Sequence, residues 1–218
     1  RPALPPEIFK AYDIRGIVGK TLTPDIAYAV GQSLGTLSLE RGASAIAVGR
    51  DGRLSGPALS QALRDGITST GCDAIDLGLV PTPVSYFAGH HLGTGSCVSV
   101  TGSHNPPDYN GIKMVVAGEA IWGDTIQSIK TRAESGDVKS GSGKQSAADI
   151  KQAYIDRIVG DAKLARPMKI AVDCGNGAAG ELAPKIFRAM GCEVVEMFCD
   201  IDGNFPNHHP DPSKPENL

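Results

Sequence analysis

One short stretch of the chain, TGSHNPPDYNGIK at 101–113, has residue types that could do chemistry. Ser103 stands next to His104, and glycines, two prolines and several polar turn formers surround the pair. Proline fixes φ and asparagine bonds its own backbone, so the pattern predicts a stiff loop. Ser103 could be the nucleophile of a hydrolase, the carrier of a phosphoryl group, or only a turn residue.

The surrounding sequence favours a carrier over a hydrolase nucleophile. A hydrolase elbow reads Gly-x-Ser-x-Gly between a strand and a helix, whereas this loop reads Gly-Ser-His-Asn-Pro and continues into a predicted strand. Adjacent side chains in an extended loop point apart, so we expect His104 to lie away from the Ser103 hydroxyl. His104 would then serve a substrate hydroxyl as an acid or base.

Basic residues and glycine-rich turns at other predicted strand ends indicate phosphate as the group carried. Arg15 lies near Tyr12 in KAYDIRG, and Arg50 and Arg53 fall in the turn GRDGR. Arginine offers a planar, bidentate grip on phosphate. The turn CGNG is a candidate anion nest of bare amides before a helix. Lys113, on the strand after the serine loop, could point back to the same site.

The elements that must position these residues alternate between helix and strand. Thr23 and Ser55 are candidate helix caps, and Gly42 and Gly71 are the expected helix ends. Short apolar strands such as SAIAVGR and SCVSVT lie between the helices. The alternation predicts a three-layer α/β/α fold with mixed, mostly parallel sheets. In such folds ligands bind beyond the carboxyl ends of the strands, where the serine loop falls.

The chain is predicted to contain two α/β units built on one plan. Residues 1–147 would form a first domain that carries the serine loop, and 148–218 the first part of a second, truncated domain. The Ser-, Gly- and Lys-rich segment 135–148 predicts a linker, and an amphipathic helix over 149–165 could bridge the two units. KIAVDCGNG and the sequence after it repeat the strand, polar turn, helix and strand of AIAVGRDGR. The alternative is that strand-turn-helix units simply look alike.

Composition excludes several classes of partner. The 218 residues carry a formal net charge of -3 and a pI near 6.0, which argues against nucleic acid or a membrane surface. No run approaches the roughly 18 apolar residues of a membrane span, and RPALPPEIFK lacks the apolar region of a signal peptide. Five cysteines without a CxxC pair predict reduced, buried thiols in a cytoplasmic protein.

Five motifs together resemble the α-D-phosphohexomutase family, and they run in order along nearly the whole chain. They are KAYDIRG, GRDGRLSG, TGSHNPPDYNGIK, VDCGNGAAG and DGNFPNHHPDPSKPENL. The chain looks most like bacterial members that act on mannose and glucose phosphates. Relatives that act on phosphoglucosamine tend instead to carry Ser-Ala-Ser-His-Asn in the serine loop.

The resemblance implies a site and a mechanism. Ser103 matches the serine that is phosphorylated in the resting enzyme and passes its phosphoryl group to a hexose 1- or 6-phosphate through a hexose 1,6-bisphosphate. His104 and Lys113 match residues regarded as proton-transfer and electrostatic helpers, and Tyr12 and Arg15 match residues that line the substrate site. Mg²⁺ is the implied cofactor, with a Ser103 phosphate oxygen as one ligand, and glucose 1,6-bisphosphate is the implied activator.

The resemblance also implies parts that do not occur in this sequence. Family members have four domains around one cleft, and the third carries an Asp-Gly-Asp-Gly-Asp metal loop and a sugar-binding loop. We therefore expect the chain alone to be inactive and the full-length protein to be a monomeric mutase. A phosphoglucosamine mutase and a non-catalytic fragment that binds sugar phosphate are the alternatives. The histidines outside the serine loop are interpreted as structural or surface residues: His90, His91, His208 and His209.

Overall fold

The computed structural model describes all 218 residues, and strands alternate with helices except over residues 96–120, where three strands follow one another. The strands are β1 (Ile14–Ile17), β2 (Ala45–Arg50), β3 (Asp73–Leu79), β4 (Ser96–Val100), β5 (Tyr109–Val116), β6 (Glu119–Ala120), β7 (Gln145–Ala147), β8 (Lys169–Asp173) and β9 (Glu193–Met197). The helices are α1 (Pro24–Glu40), α2 (Gly56–Thr68), α3 (Thr82–His91), α4 (Asp124–Ser135), α5 (Lys151–Asp161) and α6 (Leu182–Ala189).

The first unit is built on a seven-stranded mixed sheet. Its order is β1-β5-β4-β2-β3-β7, and β6 pairs with β5. β4, β2, β3 and β7 run parallel, whereas β5 is antiparallel to β1, β4 and β6. Arg50 at the end of β2 is in register with Val100 at the end of β4, so the loops that follow these strands meet at one edge. The prediction of a mixed, mostly parallel α/β sheet is confirmed.

Helices cover both faces of this sheet. The larger apolar core holds residues of α1, α2 and α4, including Leu34, Leu63 and Ile126. A second cluster on the other face joins Val84 of α3 to Ile155 of α5. Because α5 packs against both α3 and α6, it bridges the two units as predicted. None of the helices combines the length and apolar character that crossing a membrane requires.

The predicted boundaries of α1 and α2 hold, apart from the chemistry of one cap, whereas the helix predicted over 149–165 is shorter and spans Lys151–Asp161. The Thr23 hydroxyl accepts the Ile26 amide at 3.3 Å and caps α1. The glycines that follow α1 and α2, Gly42 and Gly71, have the positive φ values that end helices. Ser55 precedes α2 but makes no capping hydrogen bond, since its backbone is already helical rather than extended, and its hydroxyl accepts from Asn110 at 2.9 Å.

The segment expected to be a linker contributes a strand. Residues Gln145–Ala147 form β7 and extend the sheet edge parallel to β3, and the Lys144 amide donates to Asp73 at 2.8 Å. The sequence of this stretch did not indicate a strand because its residues are small and polar. An edge strand pairs through backbone hydrogen bonds and needs no apolar pattern. The second unit follows with the parallel pair β8–β9.

Glycines allow α1 and α2 to cross closely. A Cβ added at Gly66 would lie 2.1 Å from the Tyr28 carbonyl oxygen, and one at Gly31 would lie 2.3 Å from the Leu63 carbonyl oxygen. Both contacts are with backbone atoms, which cannot rotate away.

We predict that Gly66→Ala separates these helices and lowers the free energy of unfolding by about 1–3 kcal/mol, the usual cost of overpacking. Gly160→Ala in α5 is the matched control, because its new Cβ would meet nothing within 4 Å. That change should be neutral or stabilise the protein by up to about 1 kcal/mol. Urea denaturation followed by circular dichroism measures both, and equal effects would contradict the close-crossing interpretation.

Candidate active site

The serine loop leaves the carboxyl end of β4 and presents Ser103 to solvent. Ser103 has φ of 53°, a left-handed conformation that turns the chain sharply. Its amide donates to the Thr101 hydroxyl at 2.9 Å, and the Asn105 amide closes the turn on the Gly102 carbonyl at 3.0 Å. The Ser103 hydroxyl therefore stands at the tip of a backbone turn whose own polar groups are satisfied.

The buried guanidinium of Arg53 holds this loop in place by hydrogen bonds to its backbone carbonyls. The side chain is only 1% exposed, and it donates to the Ser103, Asn105, Pro106 and Tyr109 carbonyls at 2.6–3.1 Å. Burial lowers the pKa of Arg53, with neighbouring Asp51 opposing the shift, but a guanidinium stays charged in proteins. One buried cation from the loop after β2 thus fixes the loop after β4.

Asp51 balances that cation and ties the same two loops. One carboxylate oxygen accepts from the Thr101 hydroxyl at 2.8 Å, the Gly102 amide at 3.1 Å and Arg53 at 3.3 Å. Gly102 must be a glycine, since a Cβ there would lie 2.2 Å from the Arg53 guanidinium. The sequence offered a weak signal for this role: an acid and an arginine flanking a glycine directly after a buried strand.

Arg53 is not available as a phosphate ligand, contrary to the sequence prediction, because backbone carbonyls and Asp51 occupy its donors. Arg50 points along the sheet edge towards Asp76, at 3.8 Å, and Asp76 also binds Arg64 at 2.8 Å. Sequence spacing placed both arginines at a strand end correctly, but it could not tell which way their side chains turn.

Arg15 and Lys113 do converge beside the serine loop, as predicted. Ile14 pairs with Ile112 across β1 and β5, so Asp13, Arg15 and Lys113 share one face of the antiparallel pair. Asp13 lies between the two cations, 2.5 Å from Arg15 and 3.8 Å from Lys113. Arg15 also donates to the side-chain oxygen of Asn105, which connects this cluster to the serine loop.

Tyr12 lies on the outer rim of that cluster. Its side chain is 77% exposed and lines an open groove of about 550 Å³ with Lys113, Tyr86 and Trp122. Tyr12 therefore shares a groove with Lys113, and Ser103 is not among the residues that line it.

His104 lies against Ser103, which corrects the expectation that the two side chains point apart. Its Nδ1 atom is 3.2 Å from the Ser103 Oγ. The prediction assumed that the loop is extended. Ser103 has a left-handed φ instead, so the argument that adjacent side chains point apart does not apply. No carboxylate hydrogen-bonds to the exposed His104 ring, and the loop runs from strand β4 to strand β5 rather than into a helix. The geometry therefore supplies a serine and an imidazole without the third group of a triad.

The second unit forms the facing wall of the site. A cleft of about 190 Å³ is lined on one side by Asp51 and Ser103 and on the other by Asn176, Gly177 and Phe205. The Phe205 ring packs against Arg53, with 5.2 Å from the guanidinium carbon to the ring centre. A Cβ at Gly203 would come within 2.8 Å of the Gly52 carbonyl, so this loop sits directly on the GRDGR turn.

The turn CGNG is not an open anion nest. Its four amides already donate within the protein, from Cys174 to Met197, Gly175 to Asp173, Asn176 to Phe198 and Gly177 to Cys174. The turn has the positive φ values expected of a nest, 52° at Gly175 and 58° at Asn176. Its amides point into the second unit, however, and stabilise the cleft wall.

His208 has the structural role expected for it. Its Nε2 atom lies 2.9 Å from an Asp173 carboxylate oxygen and its Nδ1 lies 2.7 Å from the His209 carbonyl. Only the protonated ring can donate both hydrogen bonds, so the His209 carbonyl first, and Asp173 with it, raises the pKa of His208. This pair anchors the tail after residue 205 to the end of β8.

The residues of this chain do not form a magnesium site by themselves. No group of three or more His, Cys, Asp or Glu side chains is placed to hold a metal ion. In Asp51, the carboxylate bound to the serine loop, one oxygen already accepts from Thr101, Gly102 and the Arg53 side chain, and the other accepts the Arg53 amide at 3.1 Å.

Comparison with known proteins decides the family. The model for phosphoglucomutase/phosphomannomutase α/β/α domain I matches residues 6–139, and the model for domain II matches 152–218. The chain belongs to the phosphoglucomutase/phosphomannomutase family. The two matched regions correspond to the two structural units, with β7 and the start of α5 between them.

Individual family members align over the whole chain. A phosphomannomutase/phosphoglucomutase of Pseudomonas aeruginosa is 54% identical over 100% of this chain and 47% of its own length. A phosphoglucomutase of Neisseria gonorrhoeae is 51% identical over 97% of the chain and 46% of its own. A family protein of Burkholderia thailandensis superposes with a TM-score of 0.95 over 99% of the chain and 49% of that structure. The chain thus spans about half the length of these relatives.

We predict that Arg53→Lys loosens the serine loop. A lysine ammonium has three donors and cannot satisfy four carbonyls and a carboxylate, so unfolding should become easier by at least about 2 kcal/mol. Hydrogen exchange at the Ser103, Asn105 and Tyr109 amides should accelerate. Arg50→Lys, at a partly exposed ion pair, is the control and should change stability by less than about 0.5 kcal/mol. Unchanged exchange in the Arg53 variant would refute the loop-holding role.

The His208–Asp173 pair should weaken as pH rises. The pKa of His208 is raised in the folded chain, so its stabilisation is complete below the unfolded value of about 6.5 and is lost as pH rises through the folded pKa. Titration of the His208 ring protons by NMR measures this, and Asp173→Asn should move the pKa back down. Asp202→Asn is the matched control. An unmoved His208 titration in Asp173→Asn would contradict the pairing.

Proposed function

We propose that the full-length protein interconverts hexose 1-phosphate and hexose 6-phosphate, with mannose and glucose as the sugars, through a phosphoserine at Ser103. The observation that carries this proposal is the exposed Ser103 hydroxyl on a loop fixed by Arg53, next to Arg15 and Lys113 and facing a cleft. Family membership supports it, since the named relatives are phosphomannomutases and phosphoglucomutases.

The transfer step would move a phosphoryl group from the Ser103 oxygen to a hydroxyl oxygen of the sugar. The bond from phosphorus to Ser103 Oγ breaks and a bond to the free sugar hydroxyl forms, giving a hexose 1,6-bisphosphate. The sugar hydroxyl loses its proton and Ser103 Oγ gains one. Returning the other phosphoryl group of the bisphosphate to Ser103 reverses these changes and completes the isomerisation.

His104 is proposed to move the proton at Ser103. Its Nδ1 atom lies 3.2 Å from the serine oxygen, within reach of a general acid or base once the site tightens around substrate. The sequence predicts that His104 serves a substrate hydroxyl, and the observed geometry makes the serine oxygen a second candidate partner.

Arg15 and Lys113 would bind phosphate oxygens beside Ser103. Two cations and the single Asp13 carboxylate leave one positive charge in the cluster, which suits an anionic ligand. Asp13 and Asn105 hold the Arg15 guanidinium in place, so little side-chain entropy is lost on binding. Tyr12, on the groove shared with Lys113, would meet the substrate at the rim.

Mg²⁺ is proposed as the cofactor of the full-length protein, where it would neutralise charge on the transferring phosphoryl group. Its protein ligands would have to come largely from outside this chain. We therefore propose that the chain alone lacks mutase turnover. A phosphoglucosamine mutase and a non-catalytic sugar-phosphate-binding fragment are the competing functions.

The test is made on protein of the length found in the relatives. Incubation with glucose 1,6-bisphosphate and Mg²⁺ should add the mass of one phosphoryl group, mapped to Ser103, and Ser103→Ala should abolish both the added mass and activity, to below about one-thousandth. Ser213→Ala, a surface serine, is the control.

An unmodified Ser103 after that incubation would overturn the proposal. Labelling of Ser103 by an organophosphonate would favour a hydrolase instead. Comparing glucosamine, mannose and glucose phosphates as substrates separates the two mutase readings, and binding of sugar phosphate without turnover would support the non-catalytic alternative.

A further inference from the structure

Two cysteines lie close together in the second unit, beside segments that line the cleft. Cys174 follows β8 and Cys199 follows β9, and these parallel strands are neighbours. Their sulfur atoms are 3.4 Å apart, and both side chains are half-buried rather than enclosed. The other three cysteines, Cys72, Cys97 and Cys192, are buried. The pair therefore departs from the sequence expectation of separate buried thiols.

A small reagent has a route to this pair. Cys174 lines an open pocket of about 230 Å³ together with Asp173, Gly175 and His208. Its walls are the end of β8 and the tail from His208 to Pro212, and Ser103 is not among its lining residues. A thiol reagent could thus reach Cys174 through a pocket that Ser103 does not line.

We propose that Cys174 and Cys199 are a modification site that forms a reversible disulfide with a low-molecular-weight disulfide such as oxidised glutathione. One thiolate attacks the reagent, forms a mixed disulfide and releases one glutathione thiolate. The second cysteine, as its thiolate, attacks the mixed disulfide and releases the other. The two cysteines are oxidised by two electrons and lose two protons, and one glutathione disulfide is reduced to two thiols.

The crosslink would join two segments that shape the cleft. Bond formation brings the sulfurs from 3.4 Å to about 2.05 Å, so the two loops need move by little more than 1 Å in total. The turn at 174–177 carries Asn176 and Gly177 on the cleft wall, and the loop from Cys199 carries Phe205 onto Arg53. The disulfide would therefore restrain the wall that faces Ser103.

The reaction should be faster in alkaline solution. Burial, together with the neighbouring Cys199 thiol, raises the pKa of Cys174 to about 12, so its reactive thiolate is scarce at neutral pH. The reduced pair is then stable to brief exposure near neutrality, and the rate of crosslinking rises with pH.

The test uses the folded chain treated with oxidised glutathione at about pH 8.5, where thiolates become more abundant, followed by alkylation of free thiols and digestion. Cleavage after Lys and Arg leaves Cys192 and Cys199 on one peptide, so a second cleavage after Glu193 and Glu196 separates them. The expected product is a Cys174–Cys199 peptide pair, lighter by two hydrogens than the separate peptides and lost on reduction. Amide exchange at 175–177 and 199–205 should slow in the oxidised protein.

Variants decide the assignment without relying on activity. Cys174→Ser and Cys199→Ser should each abolish the crosslink, whereas Cys192→Ser should retain it. Alkylation of both Cys174 and Cys199 after oxidation, or recovery only of glutathione adducts, would overturn the proposal. So would an equal yield of the crosslink in denatured protein, since proximity in the fold would then play no part. None of these outcomes depends on whether Ser103 carries phosphate.

Discussion

The buried guanidinium of Arg53 is the interaction on which the site depends. A buried charge is tolerated only when it is paired and fully hydrogen-bonded, and here Asp51 supplies the pair while four carbonyls of the serine loop supply the hydrogen bonds. The dependence runs both ways. The loop cannot move without leaving the cation unsatisfied, and the cation cannot leave without removing a hydrogen-bond donor from each of the four carbonyls. A rigid serine loop is thus a consequence of burying one arginine.

The same cation connects the two units of the chain. Phe205 of the second unit lies on the Arg53 guanidinium, and Gly203 fits against the turn that carries it. An aromatic face attracts a cation and excludes water from it, and both effects strengthen its hydrogen bonds to the loop. The apolar cluster that joins Val84 to Ile155 holds the units together further away. The cleft wall and the serine loop are therefore supported by one shared contact.

Much of this was predictable from the sequence, and the exceptions have a common cause. The alternation of helix and strand, the Thr23 cap and the place of the serine loop at a strand end follow from local patterns. Three features do not follow from local patterns. They are the inward turn of Arg53, the contact of His104 with Ser103 and the occupied amides of the CGNG turn. Each depends on a backbone conformation or a partner far away in sequence, such as the positive φ of Ser103 or the Phe198 carbonyl that takes the Asn176 amide. Local spacing determines where a side chain is attached, and tertiary contacts determine what it binds.

The electrostatics of the Asp13 cluster fit a site that must release what it binds. Two cations without a carboxylate would hold a phosphate dianion tightly, and they would repel each other when the site is empty. Asp13 removes that repulsion, since it lies 2.5 Å from Arg15 and 3.8 Å from Lys113, and it leaves one net positive charge. A phosphoryl group on Ser103 would carry a charge of about -1.5 to -2, so this cluster alone would compensate it only in part. The rest of that charge would have to be balanced by groups outside this chain. Under the proposed function, such incomplete compensation would favour transfer of the phosphoryl group over its retention on Ser103.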